Sequence, residues 1–144
     1  MKIKQISMFL ENKPGRLSEP CRLLADAGIN IVTLSLADTQ QFGILRLIVQ
    51  EWEKTYQLLK DAGCVVNVTE VIATEVEDKP GGLAHVLDII EEAGLNIEYM
   101  YAFTFRKNDR AVLVFRFNDP DAAIAALQAR GVNVIGPVEL YGNA

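Results

Sequence analysis

Two short stretches of sequence decide the fold, because each of them occurs twice. Residues 12–17 read NKPGRL and residues 78–83 read DKPGGL, while residues 27–31 read AGINI and residues 93–97 read AGLNI. The two stretches are separated by the same number of residues in both halves of the chain. Self-similarity of this kind indicates a duplicated structural unit. We therefore expect two modules, residues 1–69 and residues 70–144.

The first half of each module predicts a strand followed by a helix. The residues that alternate onto one face of the strand are Ile6, Met8 and Leu10, mirrored by Ile72, Thr74 and Val76. After a Pro-Gly turn, apolar residues recur at helical spacing, at Leu17, Cys21 and Leu24 and again at Leu83, Leu87 and Ile90. Gly28 and Gly94 end these helices. Because Pro20 lacks a backbone donor, the first helix is expected to start late with Ser18 as its cap, or to kink.

The second half of each module predicts two strands, a helix and a last strand. The expected second strands are residues 29–37 and 95–103, the turns are residues 38–41 and 106–110, and the third strands are residues 44–49 and 111–117. The second helix of each module has one apolar face, which carries Trp52, Tyr56 and Leu59 in the first module and Ala123 and Leu127 in the second. Asp119 and Pro120 begin the second helix of the second module. The last strands begin at Cys64 and Val132. The first of these is expected to run almost directly into the next module.

The repeated order βαββαβ predicts an α+β fold of two ferredoxin-like modules. Right-handed crossovers give each module a four-stranded antiparallel sheet with its two helices on one face. The opposite sheet face is expected to be uncovered. Because ~70 residues bury little core alone, we expect the two modules to pair, and the chain to form a homodimer.

Composition and charge exclude several classes of function. The net charge is −5 and the Lys and Arg residues are scattered, which argues against a nucleic-acid partner. No apolar run approaches the ~20 residues of a membrane span, and the N-terminus alternates like a strand, unlike a signal peptide. A soluble cytoplasmic protein without membrane contact is expected. Cys21 and Cys64 lack a close-spaced partner and are interpreted as buried thiols.

Patterns typical of catalysis or metal binding are missing from the sequence. His85 is the one histidine, and a metal site needs three or four ligands, so we expect a solvated or capping side chain. The chain has no Gly-x-Ser-x-Gly motif, and Pro80-Gly81-Gly82 is too short for a phosphate loop. We therefore expect no catalytic residues, no metal and no cofactor. Tyr99, Tyr101, Phe103 and Phe105 alternate along one strand and are interpreted as core residues or as an interface.

The repeated motif resembles the signature of the ACT domain family. In that signature an acidic or amide residue precedes Pro-Gly, an apolar helix follows, and Gly-x-Asn-Ile leads into the second strand. Both halves match it, so the resemblance covers essentially the whole chain. It implies a ferredoxin-like fold and a regulatory role, because ACT domains commonly bind an amino acid between paired modules and regulate an attached or associated enzyme.

The resemblance also implies a ligand site at the Pro-Gly turn and at the start of the second strand. Asn12 and Asn30 match the two amides that hold an effector in several ACT regulators. A Pro-Gly turn suits an amino-acid ligand, because it lets the ligand approach the backbone and leaves free N–H groups that can donate to a carboxylate. The amide side chains are expected to converge on the ligand. Asp78 cannot donate a hydrogen bond when ionised, so the first module is expected to hold the better site.

The candidate ligand-binding residues follow from this match. They are Asn12, Pro14, Gly15, Arg16, Leu17, Asn30 and Ile31 in the first module and Asp78, Gly81, Gly82, Leu83, Asn96 and Ile97 in the second. An ordinary turn role remains open for the asparagines and for Asp78, because these side chains also bond their own backbone.

Three functional hypotheses follow from the sequence. The leading one is a non-catalytic sensor of an L-amino acid that acts alone or on a separate enzyme of amino-acid metabolism. The second is an assembly module that regulates a partner enzyme through protein contacts without a ligand. The third is a ferredoxin-like enzyme. The identity of the amino acid stays open, with small aliphatic, aromatic and histidine-like ligands all compatible.

Overall fold

The computed structural model describes residues 1–38, 41–107 and 109–142, with the side chains of all but Asp38 and residues 104–107. The elements of the first half are β1 (Ile3–Glu11), α1 (Ser18–Asp26), β2 (Thr33–Asp38), β3 (Phe42–Ile48), α2 (Trp52–Asp61) and β4 (Val66–Glu77). Those of the second half are α3 (Gly82–Glu92), β5 (Ile97–Lys107), β6 (Arg110–Phe117), α4 (Pro120–Ala129), β7 (Val134–Ile135) and α5 (Pro137–Gly142). The predicted α+β order is confirmed.

The first of two compact units comprises Lys4–Thr69. Its strands lie in the order β2, β3, β1, β4, and β3 pairs antiparallel with both β1 and β2. The core lies between one face of this sheet and the two helices. It includes Ile6, Met8, Leu10, Leu45 and Leu47 of the sheet, Leu24 of α1 and Leu59 of α2. On the opposite face Phe9 and Phe42 are exposed. Gln5, Thr33 and Ile48 of that same face are buried, so the predicted open face is found in this unit only around Phe9 and Phe42.

The second unit comprises Met1–Ile3 and the chain from Glu70 onward. Its strands lie in the order β7, β4, β6, β5, and the adjacent pairs are antiparallel. The core beneath α3 and α4 includes Ile72, Val76, Val86, Ile89, Phe115, Phe117 and Leu127. The prediction of an open opposite face is wrong here, because Val71, Ala73, Val112 and Val114 are also buried. Residues 71–73 and 111–115 are continuous apolar runs, which is the pattern of a strand buried on both faces.

One long strand, β4, serves both repeats. Its residues 66–69 belong to the first unit and its residues 70–77 to the second. This confirms that the last strand of the first repeat continues directly into the first strand of the next.

Several predicted strand boundaries are wrong. β2 begins at Thr33 and β5 at Ile97, later than predicted, because the residues that follow Gly28 and Gly94 still close the preceding helices. The backbone N–H of Ile29 donates to the carbonyl of Leu24 at 2.9 Å, and that of Leu95 donates to Ile90 at 3.1 Å, as in a Schellman motif. The last strand, β7, has two residues, and α5 was not predicted.

The predicted helix faces and the predicted cap of α1 need correction. Leu17 and Leu83 are exposed, although each belonged to the predicted apolar stripe. Ser18 is the first helical residue and not the cap, and its hydroxyl donates to the carbonyl of Gly15 at 3.1 Å. Pro20 therefore lies in the first turn, where backbone N–H groups have no partner within the helix. The predicted start of α4 is confirmed, with Asp119 accepting a hydrogen bond from the backbone of Ala122.

Candidate functional site

The turn between β1 and α1 is held by its own backbone. The N–H of Lys13 donates to the carbonyl of Glu11 at 2.9 Å, and the N–H of Arg16 donates to that of Lys13 at 3.3 Å. The N–H of Asn12 donates to the carbonyl of Gln41 at 3.0 Å, which ties the turn to the neighbouring strand connection. Gly15 has a φ of 85°, in the left-handed region where a side chain is disfavoured.

The second repeat forms the same turn. The N–H groups of Lys79 and Gly82 donate to the carbonyls of Glu77 and Lys79, each at 3.0 Å, and Gly81 has a φ of 86°. Near-equal geometry at both copies is the consequence of the repeated Lys-Pro-Gly sequence. The turn itself therefore follows from local sequence.

Each turn carries a close pair of opposite charges. The Lys13 ammonium lies 3.0 Å from the Glu11 carboxylate, and the Lys79 ammonium lies 2.7 Å from that of Glu77. The hydrogen bond from Lys13, then its charge and that of Arg16, hold the pKa of Glu11 below its ordinary value. Lys79 lowers the pKa of Glu77 in the same way. Both carboxylates are therefore ionised at neutral pH, which suits binding of an ammonium group.

Besides Asn12 and Asp78, the two turns differ at one further position, Arg16 in the first and Gly82 in the second. Arg16 lies half-buried and pairs with Glu19, its guanidinium 3.3 Å from the carboxylate. Gly82 is buried, and a Cβ placed there would lie 1.9 Å from the carbonyl oxygen of Glu77. The missing side chain lets the chain pass this carbonyl closely. The first helical hydrogen bond is nevertheless at the equivalent position in both repeats, from the N–H of Glu19 to the carbonyl of Gly15 at 3.2 Å and from that of His85 to Gly81 at 3.0 Å.

A small groove of about 310 Å³ opens beside the first turn. Its lining consists of Leu10, Glu11, Asn12, Lys13, Leu17, Leu36 and Gly43. Leu10 and Gly43 are opposite each other in the β1–β3 pair, and Leu36 comes from the neighbouring strand β2. The groove therefore combines an apolar surface with a polar turn at its edge.

A larger cavity of about 650 Å³ lies beside the second turn. Its lining is Glu75, Val76, Glu77, Lys79, Pro80, Gly81, Gly82, His85, Val86, Arg110, Arg130, Gly131, Val132 and Asn133. Two arginines of the lining form ion pairs. The guanidinium of Arg110 lies 4.0 Å from the carboxylate of Glu75, and that of Arg130 lies 2.5 Å from the carboxylate of Glu92, a residue that is not part of the lining. Glu75, Arg110, Arg130 and Asn133 were not predicted from the sequence. Glu75 is three residues before the motif but outside it, and the other three are far from the motif in sequence. Only sheet register and the α4–β7 connection bring them together.

Asn12 and Asn30 do not converge within the first unit, which corrects the prediction. Asn12 follows Glu11, which is opposite Phe42 at the start of β3. Asn30 precedes Thr33, which is opposite Ile48 at the end of β3. The two asparagines therefore lie at opposite ends of a seven-residue strand, about 20 Å apart at ~3.4 Å per residue. The physical reason is that α1 runs back along the sheet before β2 begins.

The remaining candidate residues are divided between cavity linings and open surface. Of the predicted set, Asn12 and Leu17 line the first groove, and Gly81 and Gly82 line the second cavity. Asp78 lines a shallow depression with Glu77, Lys79, Asp109 and Arg110. The rest line none of these three: Pro14, Gly15, Asn30 and Asn96 are exposed, as is Leu83, and Arg16, Ile31 and Ile97 are half-buried.

Comparison with known proteins identifies the family. The sequence model of an ACT domain pair matches residues 1–140. This chain belongs to the ACT domain family. ACT domains are regulatory modules, and the match spans both repeats of this ACT domain pair. No curated protein sequence matches it.

Solved structures similar to this ACT domain pair include a protein from Bacteroides thetaiotaomicron. The two share 41% sequence identity with a TM-score of 0.91, over 98% of this chain and 96% of that one. The ligand-free regulatory subunit of aspartate kinase from Thermus thermophilus matches with a TM-score of 0.66 and 15% identity, over 91% and 94% of the two chains. The regulatory subunit from Thermus flavus matches with a TM-score of 0.61 and 14% identity, over 90% and 92%.

The histidine, the two cysteines and the alternating aromatic residues of this ACT domain pair differ in their exposure. His85 is exposed, and no cluster of three metal-binding side chains occurs in the described part of the chain. Cys21 and Cys64 are half-buried free thiols, and burial raises the pKa of Cys64. Phe103 is buried and Tyr99 and Tyr101 half-buried, whereas the side chain of Phe105 lies outside the described set. Within residues 1–38, 41–107 and 109–142, no helix has the length and hydropathy that crossing a membrane requires.

Proposed function

We propose that this ACT domain pair is a non-catalytic regulatory protein that binds a free L-amino acid at the β1–α1 turn of its first repeat. The observation that carries the proposal is the groove of about 310 Å³ at that turn, bounded by Asn12 and by the Glu11–Lys13 pair. This volume is at the lower end of the ~300–1,000 Å³ that small-molecule sites span. It suits a ligand of the size of one amino acid.

The charges at the turn complement a zwitterion. The ionised Glu11 carboxylate accepts from an α-ammonium group, and Lys13 and the amide of Asn12 donate to an α-carboxylate. Binding would replace the Glu11–Lys13 contact with two contacts to the ligand. Because Glu11 and Lys13 form an ion pair, neither side chain is well suited to proton transfer. The turn therefore favours ligand binding over catalysis.

A second copy of the chain would supply Asn30 to this site. β2 is the terminal strand in the order of its sheet, so its outer edge is available for pairing. If β2 pairs antiparallel with β2 of a second copy, the Thr33 end of one strand lies beside the Asp38 end of the other. Asn30, which precedes Thr33, then lies beside the Asp38 end of the other copy. Asp38 is opposite Gly43, which lines the groove. The two asparagines can then contact one ligand, although they are distant within a unit.

The regulated partner is proposed to be a separate enzyme of amino-acid metabolism. The shared fold with the regulatory subunit of aspartate kinase, whose identity to this chain is 15%, supports the general role and not a particular enzyme. The exposed Phe9, Phe42 and Val65 favour a second candidate function. On this alternative the open sheet face of the first unit contacts a partner enzyme without any ligand.

Thermal unfolding against each of the twenty L-amino acids tests the proposal. A ligand at ~100 times its Kd adds about 2.7 kcal/mol, which raises Tm by roughly 5–10 °C for a protein of this size. We expect one responder or a related group, with the shift reduced by Asn12→Ala and by Asn30→Ala. Asn67→Ala, at an exposed asparagine on β4, is the control and should leave the ligand-induced Tm shift unchanged. If none of the twenty amino acids raises Tm, the proposed amino-acid sensor is wrong and the assembly module without a ligand is favoured.

A further inference from the structure

The groove beside the first turn has a surface made of leucine. Leu10, Leu17 and Leu36 come from β1, the residue before α1, and β2, and they converge on one cavity. Leu36 is 50% exposed and Leu17 also remains exposed, whereas Leu10 is buried. Apolar side chains that line a concave, accessible surface gain free energy when an apolar group covers them.

Gly43 belongs to the same lining and leaves the surface beside Leu36 free of a further side chain. It lies inside β3, where glycine weakens a strand and often marks a bulge or the close approach of another molecule. The pairing of β3 with β1 is continuous from Phe42 to Leu47, and Gly43 also pairs with Asp38 of β2, so a bulge between β1 and β3 does not explain it. Its φ is outside the left-handed region, so backbone geometry does not require glycine either. A Cβ there would lie 3.1 Å from Cδ1 of Leu36, inside the groove.

The cavity of the second repeat has a different chemistry. Seven of its lining residues carry ionisable or amide side chains, namely Glu75, Glu77, Lys79, His85, Arg110, Arg130 and Asn133. Apolar contact there is confined to Val76, Pro80, Val86 and Val132. The leucine surface is therefore a property of the first groove and not of the turn motif that both repeats share.

We infer that the ligand of the first groove is an L-amino acid with an apolar aliphatic side chain, such as leucine, isoleucine, valine or methionine. The inference rests on the proposed function and adds the class of side chain. The zwitterionic part of the ligand contacts Glu11, Asn12 and Lys13. Its side chain lies over Gly43 between Leu10, Leu17 and Leu36.

Titration calorimetry with seven L-amino acids tests this assignment. The probes are leucine, isoleucine, valine and methionine against serine, aspartate and lysine. Two or three methylene groups that become buried strengthen binding by ~0.8 kcal/mol each, so we expect at least one aliphatic ligand to bind about tenfold or more tightly than any of the polar ones.

Two variants locate the side chain of the ligand. Leu36→Ser removes part of the apolar surface and is expected to weaken aliphatic binding by about tenfold. Gly43→Val fills the groove and is expected to weaken it further, and Leu36→Ser still tests the site if Gly43→Val folds poorly. Phe42→Ser is the control, because Phe42 is also 50% exposed but is on the opposite face of the sheet. It should leave the affinity unchanged.

The outcomes separate this inference from the proposed function. Selection of serine, aspartate or lysine, with binding lost in Asn12→Ala, would overturn the aliphatic assignment and leave the proposed function intact. If neither Leu36→Ser nor Gly43→Val weakens the binding of aliphatic amino acids, the ligand side chain does not lie in this groove and the proposed location is wrong. Absence of binding by any of the twenty amino acids would overturn both.

Discussion

At the scale of single residues, the two copies of the turn show how the absence of one side chain lets two backbone segments approach closely. The turns share Lys-Pro-Gly, and their backbone hydrogen bonds are alike. Arg16 of the first copy is replaced by Gly82 in the second, where the backbone passes the carbonyl of Glu77. The close approach of the first residue of α3 to this carbonyl therefore depends on the absence of one Cβ.

Gly82→Ala tests this dependence. A Cβ 1.9 Å from a backbone oxygen forces the chain to move, and we expect a loss of about 3 kcal/mol in the free energy of unfolding. This corresponds to a Tm lower by roughly 6–12 °C, measured by circular dichroism. Gly136→Ala is the control, because its nearest neighbour would be 3.9 Å away, and it should change stability by less than about 0.5 kcal/mol. Equal stability of Gly82→Ala and the wild type would contradict the close approach.

At the scale of elements, the helix starts differ in how their first N–H groups are satisfied. Asp119 caps α4, its carboxylate accepting from the N–H of Ala122 at 3.1 Å, and Pro120 follows as the first helical residue. Glu51 occupies the same position before α2 without a side-chain cap. The sequence predicted the first of these from Asp-Pro alone, because both residues act locally.

Asp119→Ala is therefore expected to destabilise the second unit by about 1 kcal/mol. The reason is that the N–H of Ala122 loses its acceptor. Urea unfolding followed by circular dichroism measures the change as a lower midpoint at constant slope. Glu51→Ala is the matched substitution at an uncapped helix start and should cost a few tenths of a kcal/mol at most. Equal losses in the two variants would argue that the Asp119 hydrogen bond contributes nothing specific.

At the scale of the whole molecule, the proposed site requires two copies of the chain. The second copy would pair with β2, the last strand in the sheet order, on which Leu34 is 40% exposed. We expect the protein to sediment as a dimer. Leu34→Lys should weaken dimerisation by tenfold or more, since a charged residue on a terminal strand opposes edge-to-edge pairing.

Analytical ultracentrifugation measures this change, with circular dichroism to show that the variant stays folded. Leu83→Lys is the control, since Leu83 is 39% exposed but lies on α3. Loss of the dimer in Leu34→Lys should reduce the Tm shift caused by the amino acid, because Asn30 of the second copy is lost with it. A dimer of unchanged affinity in Leu34→Lys would place the interface elsewhere.

The sequence alone determined the duplication, the βαββαβ order, the turn geometry and the cap of α4. Each depends on residues close together in the chain: Lys-Pro-Gly sets the turns, and the alternation of Ile6, Met8 and Leu10 sets the buried face of β1. These interactions are local, so they can be read from spacing and residue type.

Only the tertiary structure decided which side chains share a cavity. Leu10, Leu36 and Gly43 are distant in sequence and meet through strand register, and Arg130 and Asn133 reach the second turn through the connection after α4. The separation of Asn12 from Asn30 also follows from the path of α1 along the sheet and not from the motif that contains them. Register and crossover direction are non-local, because a strand position acquires its neighbours only when the whole sheet is assembled.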